Sequence, residues 1–333
     1  MNRVLILVLS LCLFSNCSKE DNIEPTNYIY YYPTDTDEIT AASIGDGTGT
    51  FDPKGIAISN DTLYVCNGNV LEIFDAITLD HIKTITHYKK GDISIQLSYL
   101  SSISIDNGRI YIGSTESRLF VLDEATTQGI TTVGNGQWWQ TFVHVFGVVA
   151  EDDLVFVKEK NNIIKVFEAS QINDTSDWNL APYAKLNTLT GYTEIYSMDV
   201  VDGQLVVAGR NANSYLYYNI DDIKAQADSS LTTPIEPTTA PLSGVVPTSV
   251  IFNDDWSITS EASGGLNYLR IYSTSDFLNK DYNPFVNASD IMGENSFGSI
   301  VSVAKLNDLL FLSDNSNKKI RVIKLNEATI SER

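Results

Sequence analysis

The feature that most limits the fold of this 333-residue chain is one strand pattern that occurs six times. Each copy contains a short apolar strand, a turn rich in Asn, Asp and Gly, a second apolar strand, a polar turn and a third strand of alternating character. The second strands supply the anchor residues Leu63, Ile110, Leu154, Leu205, Ile258 and Leu309, which are 47, 44, 51, 53 and 51 residues apart. This period is typical of β-propeller blades, so the sequence predicts an all-β, six-bladed β-propeller.

Each copy contributes three strands to this prediction. The predicted strands cover residues 55–58, 63–66 and 70–75, then 102–105, 109–112 and 118–123, then 145–149, 154–157 and 163–167, then 197–201, 205–208 and 215–218, then 248–251, 257–259 and 268–272, and finally 299–303, 309–312 and 320–324. Turns such as Asp202-Gly203 favour tight hairpins between first and second strands, because Gly and Asn tolerate positive φ.

The two ends of the chain indicate how the ring closes. The sixth copy ends near its third strand, while two further candidate strands, residues 28–32 and 39–44, precede the first copy. We expect one of these N-terminal segments to complete the last blade and close the ring, because closure removes exposed strand edges. The sequence does not decide between the two segments.

The first residues have the pattern of an export signal. Arg3 is followed by an apolar stretch, residues 4–14, that is too short to span a bilayer as a permanent helix. Residues 13–17 resemble the bacterial lipobox, in which the chain is cut before a cysteine that receives a diacylglycerol, although Phe14 and Asn16 replace the usual Leu and a smaller residue. Residues 18–21 resemble the acidic export tag of lipoproteins from the Bacteroidota.

These resemblances imply three segments: a lipoprotein signal peptide at residues 1–16, a lipidated tether at 17–27 and the propeller at 28–333. Cys17 is the implied lipidation site, and the implied location is the bacterial outer membrane, on its periplasmic side or exposed at the surface. The alternative is an ordinary signal peptide cut nearby, which would leave Cys17 a free thiol.

The cysteine content and the net charge limit the disulfides and the partners that this chain is expected to have. Once Cys12 leaves with the signal and Cys17 is acylated, Cys66 has no partner, so no disulfide is expected. Cys66 ends a predicted strand and is expected to be a small buried hydrophobe, with a reactive or metal-binding thiol as the alternative. The chain has 22 Lys and Arg against 42 Asp and Glu, a net charge of −20, which disfavours nucleic acid and leaves the lipid anchor as the only expected membrane contact.

Residues 44–58, together with the strand that begins at Leu63, resemble a known repeat. A glycine-rich entry, then Phe51, Pro53, Gly55-Ile-Ala and the strand Leu63-Tyr-Val, resembles the NHL-type repeat of six-bladed propellers. The match covers the first copy only and supports the fold rather than a function. Some NHL-like propellers are hydrolases, lactonases or lyases with a metal held in the channel by carboxylates and Asn or His.

By analogy with other propellers, the loops that enter the first strands and those that join second to third strands share the face used for ligands. On this face the sequence places Lys54, Trp138, Trp139, His144, Tyr192, Glu194, Tyr196, Asn67, Asn69, Glu116, Arg210 and Glu261. The candidate ligand-binding residues are Trp138, Trp139, Tyr192, Tyr196 and Arg210. Of the adjacent indoles, one could stack on a sugar or another flat ligand, or both could pack between blades.

The sequence contains no recognisable catalytic or metal-binding motif. The three histidines, His81, His87 and His144, form no metal-binding motif, so no metal site and no cofactor are predicted. The candidate catalytic residues are His144, Glu194 and Asp199, with a divalent cation as a possibility; a structural role is the alternative for His144. We therefore expect a monomeric, non-catalytic binding or scaffold protein for a protein, peptide or glycan. The alternative is a metal-dependent hydrolase or lyase with its site in the central channel.

Overall fold

The computed structural model describes residues 26–332, except for residues 46, 48, 137–140, 152, 162, 176–177, 190–196, 210–212, 243–244, 253–255, 264–265, 289–291 and 293–296. The chain divides into two compact units. The large unit is Tyr32–Asn326, and it contains the blades described below. The small unit combines residues 1–31 with 327–333, of which the described residues, 26–31 and 327–332, are in strand conformation.

The described part of the chain is built mainly of β-strands. In chain order they are β1 (Thr26–Ile39), β2 (Pro53–Ser59), β3 (Thr62–Asn67), β4 (Val70–Asp75), β5 (His81–Ile85), β6 (His87–Lys90), β7 (Ile93–Gln96), β8 (Leu100–Asp106), β9 (Arg109–Ser114), β10 (Arg118–Asp123), β11 (Gly129–Val133), β12 (Val145–Glu151), β13 (Leu154–Glu159), β14 (Ile163–Glu168), β15 (Ala184–Asn187), β16 (Met198–Val201), β17 (Gln204–Gly209), β18 (Ser214–Asn219), β19 (Thr238–Pro241), β20 (Val246–Phe252), β21 (Trp256–Ser263), β22 (Leu266–Ser273), β23 (Val286–Asn287), β24 (Ile300–Leu306), β25 (Leu309–Asp314) and β26 (Lys319–Glu332).

The helices are short and lie between strands. They are α1 (Ile220–Ala225), α2 (Ala227–Ser230) and α3 (Thr274–Leu278), with 3-10 turns at Ala41–Ser43 and Ala169–Gln171. Asn219 caps α1 by accepting from the backbone N–H groups of Asp221 and Asp222. Within the described residues, none of the helices has the length and apolar character needed to cross a membrane.

The strands form the predicted six-bladed β-propeller. Six four-stranded antiparallel sheets have the orders β2-β3-β4-β5, β8-β9-β10-β11, β12-β13-β14-β15, β16-β17-β18-β19, β20-β21-β22-β23 and β24-β25-β26-β1. We number these sheets blades 1 to 6. All eighteen strands predicted from the repeat are confirmed as the first three strands of their blades. The repeat pattern did not include the fourth strands β5, β11, β15, β19 and β23, nor the β6-β7 hairpin.

The ring closes through β1, which is the outermost strand of blade 6. Within the large unit, Thr36 Oγ1 donates to the Val322 carbonyl at 3.1 Å, and Arg321 makes two hydrogen bonds to Asp35, at 2.8 and 2.6 Å. Closure by an N-terminal strand is confirmed. Of the two candidate segments, 28–32 lies in β1, whereas 39–44 contains the end of β1 and the 3-10 turn.

Apolar side chains fill the spaces between neighbouring blades. Phe156 of blade 3 and Leu205 of blade 4 belong to one core cluster, and Ile112 of blade 2 belongs to a cluster that contains Tyr64 and Ile73 of blade 1. Each sheet is therefore buried against two neighbours, which explains why the middle strands are apolar on both faces.

Polar side chains connect the innermost strands. Each first strand has one edge without a strand partner, and a serine hydroxyl from the adjacent blade accepts a hydrogen bond from that edge in three places. The pairs are Ser302 with the Ile56 N–H at 3.2 Å, Ser104 with the Ala150 N–H at 3.0 Å and Ser197 with the Val250 N–H at 3.0 Å. These bonds satisfy backbone groups that burial would otherwise leave unpaired.

The close approach between the first strands of blades 1 and 2 requires a glycine. A Cβ atom added at Gly55 would lie 2.4 Å from the Ser102 Cα atom in blade 2, a backbone atom that cannot move independently. We expect Gly55→Ala to lower the free energy of unfolding by about 3 kcal/mol, because the two strands would have to separate. Gly49→Ala is the matched control, since a Cβ there meets nothing within 4 Å. Urea unfolding of both variants measures the difference, and equal midpoints would contradict this account of blade packing.

Candidate functional site

Among the residues that the structure describes, two concave features could hold a ligand. The central channel is lined by the first strands of all six blades and holds a cavity of about 260 Å³. A more open groove of about 390 Å³ lies between blades 2 and 3. The groove is lined by Tyr99, Thr115, Glu116, His144, Phe146 and Lys160.

The groove lies on the face that the sequence predicted for ligands. Tyr99 and His144 each directly precede the first strand of their blade, and Thr115 with Glu116 and Lys160 come from the loops that follow the second strands. His144 and Glu116 were predicted for this face. Tyr99, Phe146 and Lys160 were missed.

The repeat gives both sides of the groove the same backbone geometry. Thr115 N–H donates to the Tyr99 carbonyl, and Lys160 N–H donates to the His144 carbonyl, both at 3.0 Å. In blade 6 the Asn315 N–H makes the equivalent bond to the Ser299 carbonyl, also at 3.0 Å. The residue before each of these first strands is therefore held by the loop after the second strand. Tyr99 has the same place in the repeat as His144, so aligning the copies could have predicted it for the ligand face.

Tyr99 is an exposed ring on a fixed backbone. The residue is 57% exposed. Its φ of 46° lies in the left-handed region, which is unusual for an aromatic residue. The Tyr99 N–H donates to Asn69 Oδ1 of blade 1 at 2.8 Å, while its carbonyl accepts from Thr115. Bonds on both sides of the residue stabilise a backbone conformation that costs about 1–3 kcal/mol.

His144 also has a left-handed backbone, with φ of 55°. Its N–H donates to Ser117 Oγ at 3.2 Å, and its ring Nδ1 is hydrogen-bonded to the Thr115 carbonyl. A carbonyl oxygen can only accept, so Nδ1 carries the hydrogen and Nε2 of the neutral ring is an acceptor. The Phe146 ring centroid lies 6.4 Å from that of His144, which gives this side of the groove an aromatic surface.

Two charged side chains complete the groove. The exposed Glu116 carboxylate accepts a hydrogen bond from Ser98 Oγ, and the Glu116 N–H donates to Ser114 Oγ at 3.1 Å. Lys160 on the blade 3 side is half-buried. The groove thus combines aromatic surface, two acceptors and one ammonium group.

Asp199 lies in the channel rather than in the groove. Its carboxylate accepts from the Phe252 N–H at 2.6 Å and from the Val200 N–H at 3.0 Å. Burial raises the pKa of Asp199 to about 7; the bond from Phe252 opposes the rise, and the nearby Glu151 carboxylate adds to it. Lys305 lines the same channel. The contacts give Asp199 a structural role, because it links the first strands of blades 4 and 5.

The structure does not bring the candidate catalytic residues into one site. His144 lines the groove, Asp199 lines the channel, and Glu194 lies outside the described residues. Within the part of the chain that the structure describes, no three His, Cys, Asp or Glu side chains are grouped so that they could hold a metal ion. The candidate ligand residues Trp138, Trp139, Tyr192, Tyr196 and Arg210 also lie outside the described residues.

Three further residues have defined places. Glu261, expected in a loop, is 1% exposed within β21, so that expectation is wrong; its carboxylate accepts from Tyr215 at 2.9 Å and from Arg270 at 2.5 Å. Cys66 is fully buried, and burial raises the pKa of its thiol, which confirms the expected small hydrophobe. His81 begins the outer strand β5 and lies 2.9 Å from Glu72, away from the groove.

Comparisons with known proteins support the fold alone. No family model matches the chain, and no curated protein matches it. The chain is similar to a chain in a crystal structure of the Mitotic Checkpoint Complex, with 12% identity and a TM-score of 0.51 over 82% of this chain and 73% of that one. It also matches the computationally designed Ika8 protein, with 10% identity and a TM-score of 0.47 over 82% of this chain and 70% of that one.

The raised pKa of Asp199 predicts how stability depends on pH. Between an ordinary Asp pKa of about 3.9 and 7, the folded protein keeps a proton that the unfolded chain releases, so the free energy of unfolding falls as pH rises through this range. Asp199→Asn keeps an acceptor for the Phe252 N–H and removes the charge. We expect this variant to be more stable than the wild type at pH 8 by about 1 kcal/mol or more, with a smaller slope from pH 4 to 7.

Thermal unfolding at a series of pH values measures this slope. Asp123→Asn is the control, because hydrogen bonds from Thr126 lower the pKa of that exposed carboxyl and should give the opposite sign. Identical pH profiles for the wild type and Asp199→Asn would contradict the prediction.

Proposed function

We propose that this protein is a lipid-anchored, non-catalytic binding protein that holds its ligand in the groove between blades 2 and 3. The groove carries this proposal, because aromatic surface, acceptors and a cation converge there on a backbone that is already ordered. Preformed clefts with a few convergent polar groups are the usual form of a ligand site. Because the backbone of the groove is ordered before the ligand binds, association costs less conformational entropy.

The anchor is proposed from the N-terminal sequence. The lipobox-like residues 13–17, the acidic stretch after them and the NHL-like first blade together fit an exported lipoprotein of Bacteroidota type. Each buried acyl CH₂ contributes roughly 0.8 kcal/mol, so several acyl chains on Cys17 would hold the protein at the outer membrane. The propeller would then reach its ligand from the membrane surface.

A metal-dependent hydrolase or lyase is the second candidate. One observation favours it: Asp199 is a channel carboxyl with a pKa near 7, and strongly shifted pKa values are common in active sites. Its two backbone hydrogen bonds favour the structural role instead, so we place binding first.

The anchor can be tested with two cysteine variants. We expect Cys17→Ala to move the protein from the membrane fraction to the soluble fraction and to abolish incorporation of radiolabelled palmitate. Cys66→Ala is the matched control, since this buried thiol can be truncated for about 1 kcal/mol without any effect on lipidation. Labelling that persists in Cys17→Ala would show that the lipid is attached elsewhere and would contradict the proposed anchor.

The binding site can be tested by thermal-shift measurements with glycans, peptides and divalent cations. A ligand at 100 times its Kd stabilises the folded state by about 2.7 kcal/mol, and we expect such a shift from an organic ligand in the wild type but not in Tyr99→Asn. Asn tolerates the left-handed backbone at residue 99, so the fold is kept. Ile93→Asn, at a residue that is 56% exposed on the β6-β7 hairpin, is the control. Stabilisation by a cation that EDTA reverses and Asp199→Asn abolishes would favour the hydrolase instead.

A further inference from the structure

We infer that the ligand of the groove is a neutral saccharide, an inference that rests on the binding function proposed above. The groove offers a flat aromatic surface beside hydrogen-bond acceptors. A sugar ring presents the complementary pattern, with an apolar C–H face for stacking and hydroxyl groups that donate. Three properties of the site favour a saccharide over a peptide, and the charge of the chain disfavours an acidic ligand.

The first property is the aromatic surface. Tyr99 is the most exposed of the large hydrophobic residues described, at 57%, although its backbone is fixed on both sides. Because the backbone is already held, only the side-chain torsions of Tyr99 lose conformational entropy when a ligand stacks on its ring. Phe146, on the opposite side of the groove, adds a second aromatic ring.

The second property is the polarity of the side chains. The bond from Nδ1 to the Thr115 carbonyl makes Nε2 of His144 the ring atom that can accept from a ligand in the groove. Glu116 accepts from Ser98 but has further lone pairs, because a carboxylate has about four acceptor positions. Two acceptors in one groove suit a ligand that carries several hydroxyl donors.

The third property argues against an extended peptide. Peptides that add to a protein backbone need free N–H and C=O groups along the edge they bind. Five N–H groups of the groove already donate within the protein. They are those of Tyr99 to Asn69, Thr115 to Tyr99, Glu116 to Ser114, His144 to Ser117 and Lys160 to His144.

The charge of the chain restricts the saccharide to neutral forms. A net charge of −20 repels uronic, sialylated or sulfated chains, and Glu116 places a carboxylate in the groove itself. Lys160 is the single lysine among the residues that line the groove. The favoured ligand therefore has hydroxyl groups and no anionic groups.

The test uses two variants that keep the backbone of the groove. Tyr99→Asn removes the ring, and His144→Asn keeps an N–H group near the Thr115 carbonyl but removes Nε2. Asn is among the residues that best tolerate positive φ, so both variants should unfold at the wild-type temperature. Ile93→Asn serves again as the control outside the groove.

The purified full-length protein in detergent is applied to an array of neutral oligosaccharides and to an array of peptides, and hits are measured by calorimetry. We expect binding to a neutral oligosaccharide that Ile93→Asn retains and that each groove variant weakens by roughly tenfold. Binding to peptides alone, lost in Tyr99→Asn, would overturn the saccharide inference and leave the groove as a binding site. Saccharide binding that both groove variants retain, or no binding to either array, would overturn the inference together with the proposed groove.

Discussion

The unpaired inner edge of each first strand is the constraint on which the rest of this structure depends. A strand edge exposes N–H and C=O groups that need partners, and six such edges meet around the channel. Hydroxyls from adjacent blades satisfy several of them, as Ser302 does for Ile56 and Ser197 for Val250. These bonds form only when neighbouring blades are in place, so the stability of each blade depends on a closed ring.

The packing of first strands around the channel also explains why a glycine is required at residue 55 and an acceptor side chain at residue 199. At Gly55 the first strands of blades 1 and 2 approach so closely that a methyl group would meet the backbone at Ser102. At Asp199 a carboxyl replaces the serine hydroxyl as acceptor for the next blade. Burial of that carboxyl raises its pKa, so one link in the ring is sensitive to pH.

The sequence predicted those parts of the fold that local patterns specify. Alternation and Asn, Asp or Gly turns located three strands per blade, because these signals act within about ten residues. The outer strands were missed because they are short: β19 has four residues, of which only Ala240 is buried, and β23 has two residues. The place of Glu261 was wrong because β21 continues to Ser263, and the Tyr215 and Arg270 side chains that satisfy its carboxylate come from other strands.

The groove was only partly predictable for a related reason. His144 and Glu116 could be placed on this face from the order of strands alone, and so could Tyr99, which precedes a first strand as His144 does. What no local pattern shows is the left-handed backbone at Tyr99 and the register shift at Leu100 and Ser102. The equivalent shift follows Val145 in blade 3, so one irregularity, repeated, sets both sides of the groove. Blade 6 has Ser299 in the position of Tyr99 and His144, with the same hydrogen bond but no ring. The repeat therefore supplies a common backbone, and the residue at this one position decides whether a blade carries a ring there.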